Sequence, residues 1–361
     1  MRMLLRGTAP RWLTPALVAL AAVLTLALTA GPIRLGGASP GAAFTYYLVR
    51  PLTTSYTVLE VLLASTPLVF TGLAALVAFR SGYYNIGGEG QFIAGAIAVT
   101  AVTLAFPALP LVVSLPLGLV AGAVAGAAWG LIPAVLRVRR GIDEVVTTLL
   151  LNPVALLLLQ GLLNGPWRNP TNQFPESAPV GPGWELPRII GGSRLHLGYV
   201  VALVLAVLAW VVLTQTRVGL TSRAVGLAPK GAAFSGIPIR RTLLGAALAS
   251  AALAGAGGAV QVLGLQHRLT AEVSTGFGYT GIVVATLAAL SVPAAIAVAT
   301  LLADITVGAE SAARALQLPP QMGKVVTATL LLCSVGVLVF RHYTLALRGL
   351  RRGARAAGGA S

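Results

Sequence analysis

The residues able to do chemistry in this chain are sparse. Asp and Glu together number 9 and His 3 among 361 residues, so an acid beside an apolar run stands out. The first is Glu89 in SGYYNIGGEGQF (81–92), where Asn85, Glu89 and Gln91 lie among four glycines. Gly87, Gly88 and Gly90 weaken helix and allow irregular backbone, which at membrane depth is tolerated only where protein buries it or it lines a cavity. An ionisable group there is read as functional by default. The other reading is structural, with Glu89 capping the next helix or bonding exposed backbone, and both stay open. The second cluster is RVRRGIDEVVTTLLLNPVALLLL (137–159). Asp143 and Glu144 open a helix, where acids suit the positive end of the dipole and pair with nearby Arg. Asn152 lies about two turns deeper, beside Pro153, whose ring interrupts helical hydrogen bonding and would turn carbonyls toward a pathway. With Asp304 in a later apolar run, the substrate-pathway candidates are Asn85, Glu89, Gln91, Asn152 and Asp304. That set is polar and nearly uncharged, which suits a neutral hydrogen-bonding solute better than an ionic one.

Catalysis cannot be assembled from these parts. The chain has no G-x-S-x-G, no H-E-x-x-H and no G-x-x-x-x-G-K-[ST], so no catalytic residue and no cofactor is expected, and ATP, if it drives anything, is hydrolysed by another subunit. His196, His267 and His342 have no metal-ligand spacing, and the lone Cys333 lies in an apolar stretch as a small core residue, so no metal site is expected.

The elements that must position these residues are membrane helices. Hydrophobic residues make up 57% and charged residues 9% of the chain, with a net charge of +16, a balance foreign to soluble domains. Its basic residues sit at the ends of apolar runs and not on a polar surface, which argues against a nucleic-acid partner. Apolar stretches at 12–30, 58–79, 91–109, 111–136, 142–163, 197–214, 243–265, 277–290, 294–310 and 324–341 predict an all-α bundle of about ten spans. The expected fold is one transmembrane domain, 1–361, with a broken or re-entrant helix near 81–92. The first run, preceded by Arg2, Arg6 and Arg11, resembles a signal peptide but is long enough to be an uncleaved first span. The short eighth and ninth runs are split by Ser291, Val292 and Pro293, which suggests a tight hairpin. With both termini inside, seventeen of the 25 Lys and Arg residues fall on inner segments, as the positive-inside rule requires.

Two outer segments are then expected, 31–57 and 164–197, the second carrying Trp167 and Trp184. These aromatics either anchor at the headgroup level, the simpler reading, or meet an external partner. The inner face carries a basic tail, 341–361, and the segment TQTRVGLTSRAVGLAPKGAAFSGIPIRR (214–241), with a short helix expected from about Pro229 to Ser235. Exposed apolar residues on a short helix suggest a docking surface. Gly118, Gly122, Gly126 and Gly130 recur every fourth residue and form one helix face that allows close helix packing.

Four segments taken in order resemble the permease subunits of bacterial ATP-binding-cassette importers for nucleosides and simple sugars, relatives of the branched-chain amino acid permeases. NIGGEGQ (85–91) is similar to N-I-G-x-E-G-Q, and GIDEVVTTLLLN (141–152) to G-[VI]-N-E-[VI]-x-x-T-x-[ML]-L-N. RAVGLAPKGAAFSGI (223–237) is similar to R-A-V-G-x-N-P-x-A-A-x-Y-A-G-I, and GFGYTGIVVATLA (276–288) to G-F-G-[FY]-x-G-I-A-V-A-L-L. The resemblance implies alternating access, a cytoplasmic ATP-binding subunit, a second homologous permease, identical or more readily different, and an extracytoplasmic solute-binding lipoprotein, all at a bacterial inner membrane and its lipids. It also implies that the RAVG segment docks on the ATPase through Arg223, Gly226, Pro229, Lys230, Phe234 and Gly236. The departures are Asp143 for Asn, Pro153, Ala228 for Asn, and Phe234 for Tyr; Asp143 and Pro153 are expected to bear on substrate selection. A nucleoside is the first expectation and a simple sugar the next. The competing reading is an ion- or proton-coupled secondary transporter using Glu89 or Asp304.

Overall fold

A computed structural model describes residues 2–5, 13–319 and 321–346. In chain order its elements are β1 (Arg2–Leu5), α1 (Leu13–Leu35), α2 (Pro40–Leu48), α3 (Ser55–Arg80), α4 (Gly88–Ala105), α5 (Leu111–Val135) and α6 (Glu144–Asn164). There follow α7 (Leu197–Gln215), α8 (Arg217–Leu227), α9 (Pro229–Phe234), α10 (Ile239–Gln261), α11 (Phe277–Leu287), α12 (Val292–Leu316), α13 (Gln321–His342) and β2 (Tyr343–Ala346). They form two compact units, Arg50–Val307, and Met1–Val49 with Gly308–Ser361.

In the larger unit α3 is apolar on every side and buried along most of its length, as a helix without a polar face must be. α7, α10 and α11 pack on it, and α10 also packs on α4 and α5. The α5–α10 seam explains the glycine stripe. Gly118, Gly122, Gly126 and Gly130 are all buried and face Leu263, Ala259, Gly255 and Ala251. A Cβ on Gly126 would lie 2.8 Å from the Gly255 Cα, so the two backbones touch, and in lipid such close contact holds helices together in place of apolar burial.

In the smaller unit α1 packs along α13, and Cys333 joins Leu17, Ala21 and Val337 in a buried cluster. α1 and α2 meet at a 119° bend, with Gly37 at φ +89 and Ser39 capping α2 through its hydroxyl, which accepts from Ala42 N at 3.2 Å. β1 and β2 pair antiparallel, Arg2 opposite Ala346.

Among the described residues seven helices are long and apolar enough to cross a membrane, or eight if the bent α1–α2 pair is one span. The expected count of about ten is somewhat higher than this. The stretch at 277–290 forms only the 11-residue α11, about 16 Å long at the helical rise and too short for a hydrocarbon core of about 30 Å. Ala289 and Leu290, both at positive φ, make the tight turn into α12 expected near Ser291. Residues 324–341 fall within α13. The helix break also differs in place: the sharply bent pair is α1–α2, whereas 81–87 is an irregular link between α3 and α4. Segment 31–57 is no open loop, since it holds the end of α1, all of α2 and a 3-10 turn at Arg50–Leu52. Trp184 is 1% exposed and its indole N–H donates to Phe106 O at 2.8 Å, so it fills protein interior instead of anchoring in headgroups. The tail beyond Ala346 lies outside the described residues.

Candidate functional site

α3 stops because Gly82, at φ +78, lets its N–H reach Phe79 O at 3.0 Å while Tyr83 N reaches Ala78 O at 3.2 Å. That is the Schellman arrangement, which satisfies carbonyls at a helix end. The chain then runs without helix to Gly87, and its freed backbone groups need partners. α6 supplies them from residues four apart. Glu144 Oε1 accepts from Tyr84 N at 3.3 Å, Thr148 Oγ1 from Ile86 N at 3.2 Å and Asn152 Oδ1 from Gly90 N at 2.9 Å. Asn152 Nδ2 donates to Ile86 O at 3.0 Å and to Tyr279 Oη at 3.1 Å. Spacing of i, i+4, i+8 puts the three side chains on one helix face, so α6 is a ladder gripping an irregular strand of chain.

The other side of this link is gripped by α10. Asn85 and Gln91 exchange amide hydrogen bonds of 2.8 and 3.0 Å, and Asn85 Nδ2 also donates to Ser250 Oγ at 2.9 Å. Ser250 in turn donates to Ala74 O at 2.6 Å, which ties α10 to α3. Glu89 is 8% exposed, and its Oε2 accepts from Gly278 N at 2.8 Å, in the first turn of α11. This is the structural role weighed for Glu89, with one difference: the helix it caps is α11, not its own.

Thus Asn85, Glu89, Gln91 and Asn152 come together, each engaged with protein groups. Asp304 stands apart in α12, 5% exposed, with Oδ1 lacking a hydrogen-bond partner among the described residues. Thr148, Ser250 and Tyr279 belong to the cluster and escaped the sequence reading. Of the three, Thr148 carried a signal, the four-residue spacing with Glu144 and Asn152. Glu144 also pairs with Arg137 at 2.9 Å. Asp143 is the N-cap of α6, accepting from Val145 N at 2.7 Å and Val146 N at 3.3 Å. Asn does the same work at that position, so the exchange of Asn for Asp143 keeps the helix cap. Pro153 sits within a continuous α6, with no break in the helix at that point.

The basic segment 214–241 forms α8, α9 and the start of α10. Phe234 is 96%, Leu227 75% and Leu220 70% exposed, apolar surface left uncovered by the described residues. Pro229 opens α9 and Gly236, at φ +77, follows its end. Ala228 is the N-cap of α9 and offers no side-chain acceptor. Arg223 and Lys230 are exposed. Gly226 presses on the end of α3: a Cβ there would collide with Arg80 O and lie 3.1 Å from Gly82 N. The basic segment and the gripped link therefore meet backbone to backbone.

On the opposite ends of the helices, Arg194 pairs with Glu60 and Arg268 with Glu176 at 2.7 Å. Hydrogen bonding from Asn172, reinforced by Arg268, holds Glu176 below the ordinary carboxylate range. His196 caps α7, its Nδ1 accepting from Gly198 N at 3.1 Å. Burial, with His267 nearby, lowers its pKa to about 4. No group of three or more potential metal-ligating side chains occurs among the described residues.

Comparison with known proteins gives a consistent result. The family described as "Branched-chain amino acid transport system / permease component" matches residues 57–335. A glucose ABC transporter permease of Haloferax volcanii is 33% identical over 365 residues, covering 96% of this chain and 94% of its own. A guanosine ABC transporter permease of Bacillus subtilis is 34% identical over 281 residues, covering 77% and 80%. A nucleoside ABC transporter permease of Lactococcus lactis is 31% identical over 305 residues, covering 82% and 83%. No solved structure matches the chain.

Proposed function

The chain belongs to the family of branched-chain amino acid transport system permease components, a multi-pass protein of the cell membrane and the permease of an ABC importer, and from that premise we propose that it carries a neutral polar solute, a nucleoside first and a simple sugar next. Three relatives are named for guanosine, nucleosides and glucose, and the polar groups at membrane depth are mostly amides and hydroxyls. Permeases of this kind are not themselves enzymes, and the reading as an ion-coupled secondary transporter gives way to the family.

In this reading both termini and α8–α9 face the cytoplasm, and a separate ATP-binding subunit docks on Arg223, Gly226, Pro229, Lys230, Phe234 and Gly236. A second permease completes the pathway, and a solute-binding lipoprotein delivers the solute. Asn85, Glu89, Gln91 and Asn152 shape the pathway by fixing the link between α3 and α4, with Asp304 as a further polar group at membrane depth. The observation that carries this is the contact of Gly226 with Arg80–Gly82, which joins the exposed apolar docking segment to the polar cluster. Co-purification with the neighbouring gene products tests it: the ATP-binding subunit is recovered with the parent chain and lost with Arg223→Glu/Phe234→Ala. Recovery unaffected by those changes removes the docking assignment. Equilibrium binding of nucleosides, simple sugars and charged amino acids to the partner binding protein tests the solute class, and tight binding of only a charged amino acid refutes it.

A further inference from the structure

A cavity of about 600 Å³ opens between α7 and α10. Leu208 and Val212 of α7 form one wall, and the small residues Gly245, Ala246 and Ala249 of α10 hollow out the other. Most of α7 is exposed apolar surface, so in a bilayer the cleft faces hydrocarbon. Left empty, its walls forfeit dispersion contacts, and water finds too few polar partners along them to stay. A flexible hydrocarbon chain fills it without either cost.

One end of the cleft differs in chemistry. Arg241 and Thr242 of α10 line it with Thr221 and Ser222 of α8. Val218, in the first turn of α8, also lines it, and that helix starts without a side-chain cap, so first-turn N–H groups are left without a capping acceptor. The charge balance is one-sided: between Glu185 and Glu272 there is no acidic residue, while Arg217, Arg223, Lys230, Arg240 and Arg241 crowd 217–241. Arg241 makes no ion pair among the described residues. A guanidinium beside free helix N–H groups recognises phosphate.

We propose that the α7–α10 cleft is a binding site for an anionic phospholipid, one acyl chain lying along the cleft and the phosphate held at Arg241. Because α8 forms the polar end of the site, the lipid bridges the docking segment and the bundle.

The complete assembly, extracted in mild detergent and offered phosphatidylglycerol and phosphatidylcholine in equal amounts, is read by native mass spectrometry. Phosphatidylglycerol is retained in preference. Arg241→Gln lowers its retention about fivefold, the worth of one basic residue near a lipid surface, and abolishes the preference, whereas Arg240→Gln, outside the cleft, does not. Ala249→Phe, which fills the cleft, lowers retention of both lipids. Equal retention by the parent, or equal losses in Arg240→Gln and Arg241→Gln, overturns the site, since charge would then act diffusely. So does cross-linking of Ala249→Cys to the second permease, which would make the cleft a protein interface. Thermal melting of each variant separates these outcomes from misfolding.

Discussion

Asn152 gives the sharpest test of the ladder on α6. Replacing it with alanine removes the acceptor for Gly90 N (2.9 Å), the donor to Ile86 O (3.0 Å) and the donor to Tyr279 Oη (3.1 Å). Gly90 N lies in the first turn of α4, where no intrahelical acceptor reaches it, and Ile86 O belongs to the link, which has no helix to satisfy it. Leaving two such groups unpaired costs about 1–2 kcal/mol each, so Asn152→Ala should destabilise by about 2–4 kcal/mol. The third bond is different, because Tyr279 is 43% exposed and Asn152 Nδ2 keeps Ile86 O without it. Tyr279→Phe should therefore cost about 0.5 kcal/mol, near the average for side-chain hydrogen bonds in membrane proteins. Thr148→Val, which orphans Ile86 N alone, should cost about 1 kcal/mol. Reversible unfolding in detergent, read as the shift in midpoint, gives the order. If Asn152→Ala falls within about 0.5 kcal/mol of Tyr279→Phe, which is the resolution expected of such comparisons, the link is not held by α6 and the reasoning fails.

Two glycines, one in the α5–α10 seam and one outside it, carry predictions of opposite sign. Gly126→Ala places a Cβ 2.8 Å from the Gly255 Cα and should cost about 1–3 kcal/mol by overpacking. Gly31→Ala, in α1 with nothing within 4 Å of the new carbon, should be neutral or stabilise by up to about 1 kcal/mol through helix propensity; melting temperatures decide both. His196 predicts a pH dependence. Its pKa in the folded chain is about 4, against 6.5 unperturbed, so between those values the unfolded chain takes up a proton that the folded chain refuses. Stability should fall as pH drops through that window, by about 3 kcal/mol in all, and level off below it. His196→Asn keeps an acceptor for Gly198 N and should flatten that part of the curve, and a drop identical to the parent's would place the titration elsewhere.

Much of the fold was legible because apolar length and charge position are local signals. The α3, α4, α5, α6, α7, α10 and α12 spans fall where hydropathy puts them, and the glycines of α5 announced a contact face. Its partner, α10, carries small residues at the same four-residue spacing, Ala251, Gly255 and Ala259, but alanine and glycine are so frequent along this chain that the stripe did not single α10 out. Hydropathy failed at α11, where an apolar run of spanning composition is cut by a turn at Ala289 and Leu290. It also gave no hint of α2, whose Ser39 cap is a common motif in loops. At the polar cluster the sequence supplied residue types without roles. Asn85, Glu89 and Gln91 read as a pathway because amides in an apolar setting are costly, but that cost is equally met by backbone partners. Which partners exist depends on Ser250 and Gly278, 165 and 189 residues away along the chain, a distance no local pattern spans. Trp184 misled for the same reason: a tryptophan in a polar segment looks interfacial until Phe106 O is found beside it.

The contacts also bear on how a push at α8 would travel. Gly226 has no side chain to yield and meets Arg80–Gly82 directly, so a displacement of α8 toward the bundle moves the end of α3 instead of closing a gap. Past Gly82 the chain is held on one side by Glu144, Thr148 and Asn152, and on the other by Gln91 and Ser250. A link gripped at that many points does not absorb strain by bending. It passes the displacement to α6 and α10, and through Glu89 to the first turn of α11. Gly82, at positive φ, lies between the Gly226 contact and the cluster. An L-residue there costs about 1–2 kcal/mol in the left-handed region and its Cβ would lie 3.2 Å from the Gly226 Cα, so the turn and the contact are set by the same two glycines.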